Sequence, residues 1–332
     1  MAENKTSFQT ILDTLLNDNK DFPQRYLQFF SDLDPASLKA FLDVWLRVNP
    51  TRKLILLRQL EVLAESNTIV SFEDLGRALL KDADGSVRAA AIHLLAESDD
   101  PKLADTYINI LQNDTELEPR LEAATMLGEY VILGELEELD ETIHHRIEDT
   151  LLAIVGSKED DRLRRCALEA VGYSSRLEAE TVIETAFTRA SPEWVASALT
   201  AMGRSSDLKW EEQVITMLVD EDLRIRMAAV QAAGELKSSD ARGLLLSMLE
   251  EEEDDDVMAA VIWSLSQIGG EDVRTYLEAL LDQTEDEESL EHLENALENL
   301  TFTEDLERFE MLALDPDDEL REIDIEELED EE

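Results

Sequence analysis

Residues 220–236 read DEDLRIRMAAVQAAGEL. Three acids open the stretch, and Arg224 and Arg226 then alternate with apolar residues. Ala228, Ala229, Ala232, Ala233 and Gly234 follow at helical spacing. A helix that buries its face alone gains most from large apolar side chains, at about 25 cal/mol per Å² removed from water. A face built from alanine and glycine instead predicts that a neighbouring helix comes close.

The stretch is one copy of a frame that recurs along the chain. From the anchor Ile225, an acid lies three residues before (Asp222) and an arginine one after (Arg226). Small residues stand at +4 and +8 (Ala229, Ala233), and Gly234 at +9. Val87 carries the same frame with Asp84, Arg88, Ala91 and Leu95. Pro119 carries it with Glu116, Arg120, Ala123, Leu127 and Gly128, and Leu163 with Asp160, Arg164, Ala167, Val171 and Gly172. At Trp194 and Val257 (with Asp254 before it) the arginine is replaced by Val195 and Met258, and a degenerate copy spans Leu290 to Leu300. The anchors are 32, 44, 31, 31 and 32 residues apart. The single long spacing places an excess of 12 residues in GEYVILGELEELDET, 128–142, as a longer helix end or an inserted loop.

A second amphipathic segment precedes each frame, as in FEDLGRALLKD, KLADTYINILQN, IHHRIEDTLLAIVG and WEEQVITMLVD. Each has apolar residues at helical spacing. Turn-forming stretches such as SSD and GGED separate the helices. The unit is a helix–turn–helix of about 31 residues. The pattern D-x-x-[VIL]-R-x-x-A-x-x-x-L-G in such pairs resembles HEAT repeats, and most of all the short HEAT-like repeats named after phycobilisome lyases. The resemblance covers residues 67–300. It implies a right-handed α-solenoid of stacked antiparallel helix pairs, with the second helices lining a concave side. Residues 1–66 fall outside the frame. They include DPASLKAFLDVWLRV and PTRKLILLRQLEVLAES, and they read as a helical N-terminal cap. Residues 301–332 read as an acidic tail, largely disordered, with Ile323, Ile325 and Leu328 interspersed among the acids.

Composition agrees with an all-α fold. Leu, Ala and Glu dominate, and only 11 Gly and 7 Pro interrupt the 332 residues. Aromatics are 5%, few for an aromatic-lined ligand pocket. No run of 18 apolar residues exists, so no membrane insertion is expected. The first residues lack the basic start and apolar core of a secretory signal. Cys166 is the single cysteine, which excludes an intramolecular disulfide and a cysteine-built zinc site. A reducing cytoplasm is the expected location.

The net charge is −50 and the pI about 4.1. Phosphate backbones are repelled by such a chain, so nucleic acid is not an expected partner, and a DNA-glycosylase reading of the repeats is set aside. From residue 250 to the end there are 34 acids and 3 bases, so the acidity is concentrated there. Lysine is scarce, with 9 Lys against 20 Arg, which fits adaptation to high salt or a family habit equally. The balance predicts a basic protein as partner.

Asp84, Asp160, Asp222 and Asp254 stand where helix N-caps belong. Arg88, Arg120, Arg164 and Arg226 recur one repeat apart and can reach acids of a neighbouring repeat as a ladder. An anion-binding stripe is the alternative, but recurrence with the module favours the structural role. The +6 positions His93, Thr125, Glu169, Thr200, Gln231 and Trp263 are mostly polar and fall off the core face. His93, Glu169, Gln231 and Trp263 are the candidate partner-binding residues, with Trp263 as the anchor, or as packing over a neighbouring helix.

No catalytic set and no cofactor site is expected. His144 and His145 are adjacent, so they point to different sides of a helix and chelate poorly together; solvated positions are expected for them, and no metal site. No His-Glu dipeptide of the kind used by HEAT-like hydroxylases occurs. Cys166 has no histidine pattern near it and reads as a small buried hydrophobe. Two functions are compatible with these features: a non-catalytic scaffold or adaptor, or, by the resemblance, a subunit resembling bilin lyases or isomerases that acts on a chromophore-carrying protein.

Overall fold

The computed structural model describes residues 7–98, 100–252, 254–284 and 286–313. They are helical, with no strand among them. By contact the chain divides into two compact units, 1–201 and 202–332.

The first unit opens with α1 (Phe8–Leu15), a 3-10 helix (Gln24–Phe30), α2 (Pro35–Trp45) and α3 (Pro50–Ser66). Asp34 and Asn49 cap α2 and α3, and Pro35 and Pro50 start them, where the missing N–H costs nothing. An aromatic cluster joins these elements: Phe30 lies 5.9 Å from Phe8 and 5.7 Å from Phe41, edge-on, and Phe41 lies 4.8 Å from Trp45. One acid fastens this cap to the first repeat. Asp82 accepts from Trp45 Nε1 at 2.7 Å and lies 3.4 Å from Lys53 Nζ. Burial pushes the Asp82 carboxyl up, but the Asp84 amide, Trp45 and Lys53 outweigh it and hold it below the ordinary carboxylate value.

Helix pairs then succeed one another: α4 (Glu73–Leu79) with α5 (Gly85–His93), α6 (Pro101–Asn113) with α7 (Leu117–Glu135), and α8 (Glu141–Val155) with α9 (Asp161–Val171). Next come α10 (Leu177–Phe187) and α11 (Pro192–Arg204), and the division between the units falls inside α11. In the second unit α12 (Glu211–Met217) pairs with α13 (Leu223–Glu235), α14 (Arg242–Glu251) with α15 (Asp255–Ile268), and α16 (Glu271–Leu281) with α17 (Glu287–Ala313). In each unit the second helices of successive pairs also pack on one another: α5 on α7 on α9, and α13 on α15 on α17. This is the expected solenoid packing of helix pairs. Helix α17 passes residue 300 and ends at Ala313, so the first part of the expected tail is helical. The remainder, with Ile323, Ile325 and Leu328, lies outside the described residues.

The repeat frame maps onto this packing position by position. All six anchors, from Val87 to Val257, are buried, and so are the +4 residues Ala91, Ala123, Ala167, Ala198, Ala229 and Val261. The +9 glycines mark where one second helix meets the backbone of the next. A methyl group placed on Gly128 would lie 3.3 Å from Ala170 Cα, and one on Gly172 2.7 Å from Ala201 Cα. One on Gly203 would lie 2.8 Å from Ala232 Cα, and one on Gly234 2.8 Å from Ser264 Cα. Each partner stands at +7 of the following frame. A helical glycine costs roughly 1 kcal/mol against alanine; here it is kept because a side chain has nowhere to go.

Candidate functional site

The acids expected as caps are caps. Asp84, Asp160 and Asp222 accept from the amides of Ser86, Arg162 and Arg224, and Asp254 from that of Val257. The arginines are rungs to other groups. Arg88 grips Asp114 with two nitrogens at 2.7 and 2.6 Å. Arg120 reaches Glu159 at 3.0 Å, and Arg226 reaches Glu252 at 3.1 Å. In these three the acid lies in the turn between the two helices of the next pair. Each arginine also donates to a carbonyl closing the preceding helix: Asp82, Leu111 and Asp220 respectively. Arg164 differs. It shares the carbonyl bond, donating to Val155 O at the end of α8, but its acid is Asp161 of its own helix, and it sits 5.0 Å from the Trp194 ring. Burial pushes the Asp114 carboxyl up, and the bonds from Arg88 and the Glu116 amide bring it below its ordinary value.

The four candidate partner-binding residues stand on four different helices. His93 on α5 is exposed but engaged, with Nδ1 3.4 Å from Glu61 and Nε2 3.2 Å from Glu122. Glu169 on α9 is half-buried and accepts from Ser197 Oγ at 2.5 Å. Gln231 on α13 is exposed. Trp263 on α15 is 46% exposed and borders a groove lined also by Ala259, His292, Asn295 and Asn299. No hydrogen bond or ion pair joins any two of the four. Cys166 is half-buried, its Sγ 3.4 Å from Leu121 O and 3.3 Å from Thr125 Oγ1.

Among the described residues, three potential ligands come together elsewhere. The excess of 12 residues is taken up largely by α7 itself, which runs for 19 residues where α9 has 11 and α13 has 13. Its last residue, Glu135, meets α8. There His144 and Glu148, four apart, share one face. His144 Nε2 lies 3.7 Å from Glu148 Oε1 and 3.8 Å from Glu135 Oε1. Glu148 is fully buried, His144 is 9% exposed, and Nε2 has no hydrogen-bond partner. This corrects the expectation that both histidines are solvated. Only His145 is exposed, and its ring stacks on that of His144 at 5.9 Å. The burial has a cause in Gly134, where a methyl group would lie 2.3 Å from the His144 ring. The turn after α9 braces the acids. Ser174 Oγ donates to Glu148 Oε1, the Ser175 amide donates to Glu135 Oε1 at 2.9 Å, and Arg176 lies 3.5 Å from Glu148 Oε2.

The family model for HEAT repeats matches residues 179–257 and 211–298. Over residues 179–298 the chain carries HEAT repeats. Solved structures that align with this chain include YibA from Escherichia coli, at 14% identity and a TM-score of 0.43, covering 86% of this chain and 99% of that one. The CpcE–CpcF complex of phycocyanin lyase from Nostoc sp. PCC7120 aligns at 17% identity and a TM-score of 0.46, covering 69% and 94%. Yeast importin-β aligns at 10% and 0.41, covering 89% of this chain and 52% of that one. Likeness of this degree transfers no activity and no partner. No curated protein matches the sequence.

Among the helix pairs the buried acid of α8 has counterparts. Ser98 donates to Glu73 at 3.1 Å and Ser238 to Glu211 at 2.7 Å, so a serine after the second helix repeatedly holds a glutamate of the first. The α8 copy is distinguished by the histidine one turn before its glutamate and by the second carboxylate from α7. Sequence reasoning missed it by testing adjacent residues. The signal present was His144-x-x-x-Glu148, inside the one irregular spacing and just after the stretch 128–142 that holds its excess.

Proposed function

We propose that this chain is a non-catalytic scaffold that binds a basic protein partner. One observation carries the reading: the stack folds four of the 29 basic side chains into its own ion pairs. The side chains of the rung arginines Arg88, Arg120, Arg164 and Arg226 are only 12, 14, 17 and 21% exposed. The surface therefore presents a chain already at −50 with part of its basic complement withdrawn. Such a surface steers a cationic partner toward it and repels polyanions. Trp263 is the proposed anchor, because a half-exposed tryptophan bordering a groove can bury its remaining area on a partner. Among the described residues no helix is long and apolar enough to cross a membrane. We place the protein in the cytoplasm on its single cysteine; cell fractionation tests that.

The test is a crosslinking pull-down from the native host with the full chain and with Trp263→Ala. The expected result is a basic protein retained at low salt, released at high salt and bound more weakly by the variant. Retention that ignores both salt and Trp263, or none at low salt, overturns the reading.

A further inference from the structure

The Glu135–His144–Glu148 cluster is independent of any partner-binding face. It offers one ligand atom from each of three residues, all within 4.8 Å of one another. A four-coordinate zinc ion with bonds near 2.0–2.2 Å keeps its ligands roughly 3.3 Å apart. The two separations from His144 Nε2, 3.7 and 3.8 Å, are within a small side-chain rotation of that.

The histidine makes this more than a group of acids. His144 is nine-tenths buried, its Nε2 is aimed at both carboxylates, and it has no hydrogen-bond partner. Buried polar nitrogens are nearly always bonded, and leaving one unbonded costs about 1–3 kcal/mol. The acids are also positioned in the way that metal-ligating carboxylates are, each carrying a hydrogen bond from behind. Ser174 Oγ and the Ser175 amide supply these to the same Oε1 atoms that face Nε2. Arg176 opposes a cation, since it lies 3.5 Å from the other oxygen of Glu148. It is also drawn to Asp149 at 2.8 Å and to Glu178 at 3.4 Å, outside the cluster. Two carboxylates and an imidazole facing one point still favour a divalent ion.

We propose that Glu135, His144 and Glu148 bind a divalent transition-metal ion through His144 Nε2 and one oxygen of each carboxylate. Imidazole with carboxylate selects zinc and its first-row neighbours over magnesium and calcium. The fourth position is left to water. The ion fastens the added end of α7 to α8, a join that the other repeats do not have.

Zn²⁺ is the probe, titrated calorimetrically into the chelator-stripped full chain with excess Mg²⁺ present to occupy the acidic surface. The expected result is one Zn²⁺ per chain that Mg²⁺ does not displace, weakened at least about tenfold by Glu135→Gln and by His144→Gln. His145→Gln is expected to leave it unchanged. Co²⁺ in place of Zn²⁺ is expected to give a visible absorption band that His144→Gln abolishes. Should His144→Gln fail to fold, Glu135→Gln decides alone, because that side chain is partly exposed. Zn²⁺ binding fully displaced by Mg²⁺, or an affinity unchanged in Glu135→Gln, overturns the proposal.

Discussion

The stack of second helices and the junction of α7 with α8 both depend on glycine, but the glycines face different things. Gly172 and Gly234 lie against backbone, with the nearest Cα atoms 2.7 and 2.8 Å from where a methyl group would stand. Gly134 lies against an imidazole ring. Backbone in a packed helix cannot yield, whereas a side chain can rotate. The first kind of glycine therefore fixes how far apart two helices lie, and the second decides where a functional group points. A repeat protein can hold both without conflict, because the recurring contacts set the frame and a departure from them makes a local site.

The largest expected effect tests the stack through its arginine rungs. Arg88→Ala leaves Asp114, 8% exposed, without its guanidinium. Breaking such a pair costs about 3–5 kcal/mol, read by chemical denaturation; a loss below about 1 kcal/mol would show that Asp114 is satisfied by other means. The same pair gives an acid-side signature. The folded pKa of Asp114 lies below its ordinary 3.8, so its contribution is present above that value and lost as pH falls through the folded one. Arg88→Ala should remove that loss.

Gly172→Val should come next, at about 3 kcal/mol, from overpacking against Ala201. Gly134→Ala should cost less, about 1 kcal/mol, and should instead turn the His144 ring. The NMR signals of His144 would move while those of His93 stay. Equal stability losses at the two glycines would erase the distinction between them. The smallest effect concerns His93. Its hydrogen bond to Glu122, with the charges of Glu122, Glu61 and Glu65, raises its pKa despite partial burial. The contribution is therefore full below the ordinary 6.5 and lost as pH rises through the folded value. Because the ring is 43% exposed, it should amount to no more than roughly 0.5 kcal/mol. A denaturation midpoint that is flat above neutral pH in the wild type, and unaltered in His93→Gln, would count against it.

The frame was legible because a repeated packing contact leaves a repeated residue. Ala229, Ala233 and Gly234 announce close approach, and Asp222 announces a cap, whatever the neighbouring helix is made of. The arginine partners were legible only in part. Arg164 turns to its own helix and to Trp194, a choice made by side chains that the frame does not constrain. His144 was not legible as a buried group, because its burial depends on Gly134 one helix away and on where α7 stops. The sequence reading tested His144 only against its neighbour His145 and set the pair aside, since 100° of rotation separates neighbours. Pairing His144 with Glu148 required asking about the next turn.

Gly128 stands just before the residues by which α7 exceeds the other second helices. The contact that indexes α7 against α9 is therefore complete before the added segment begins. Chain length can change after that point without shifting the register of any repeat, at only the slowly growing entropic cost of a longer excursion. A module of this kind has a protected half and a permissive half, and new chemistry can be tried in the second without re-solving the first.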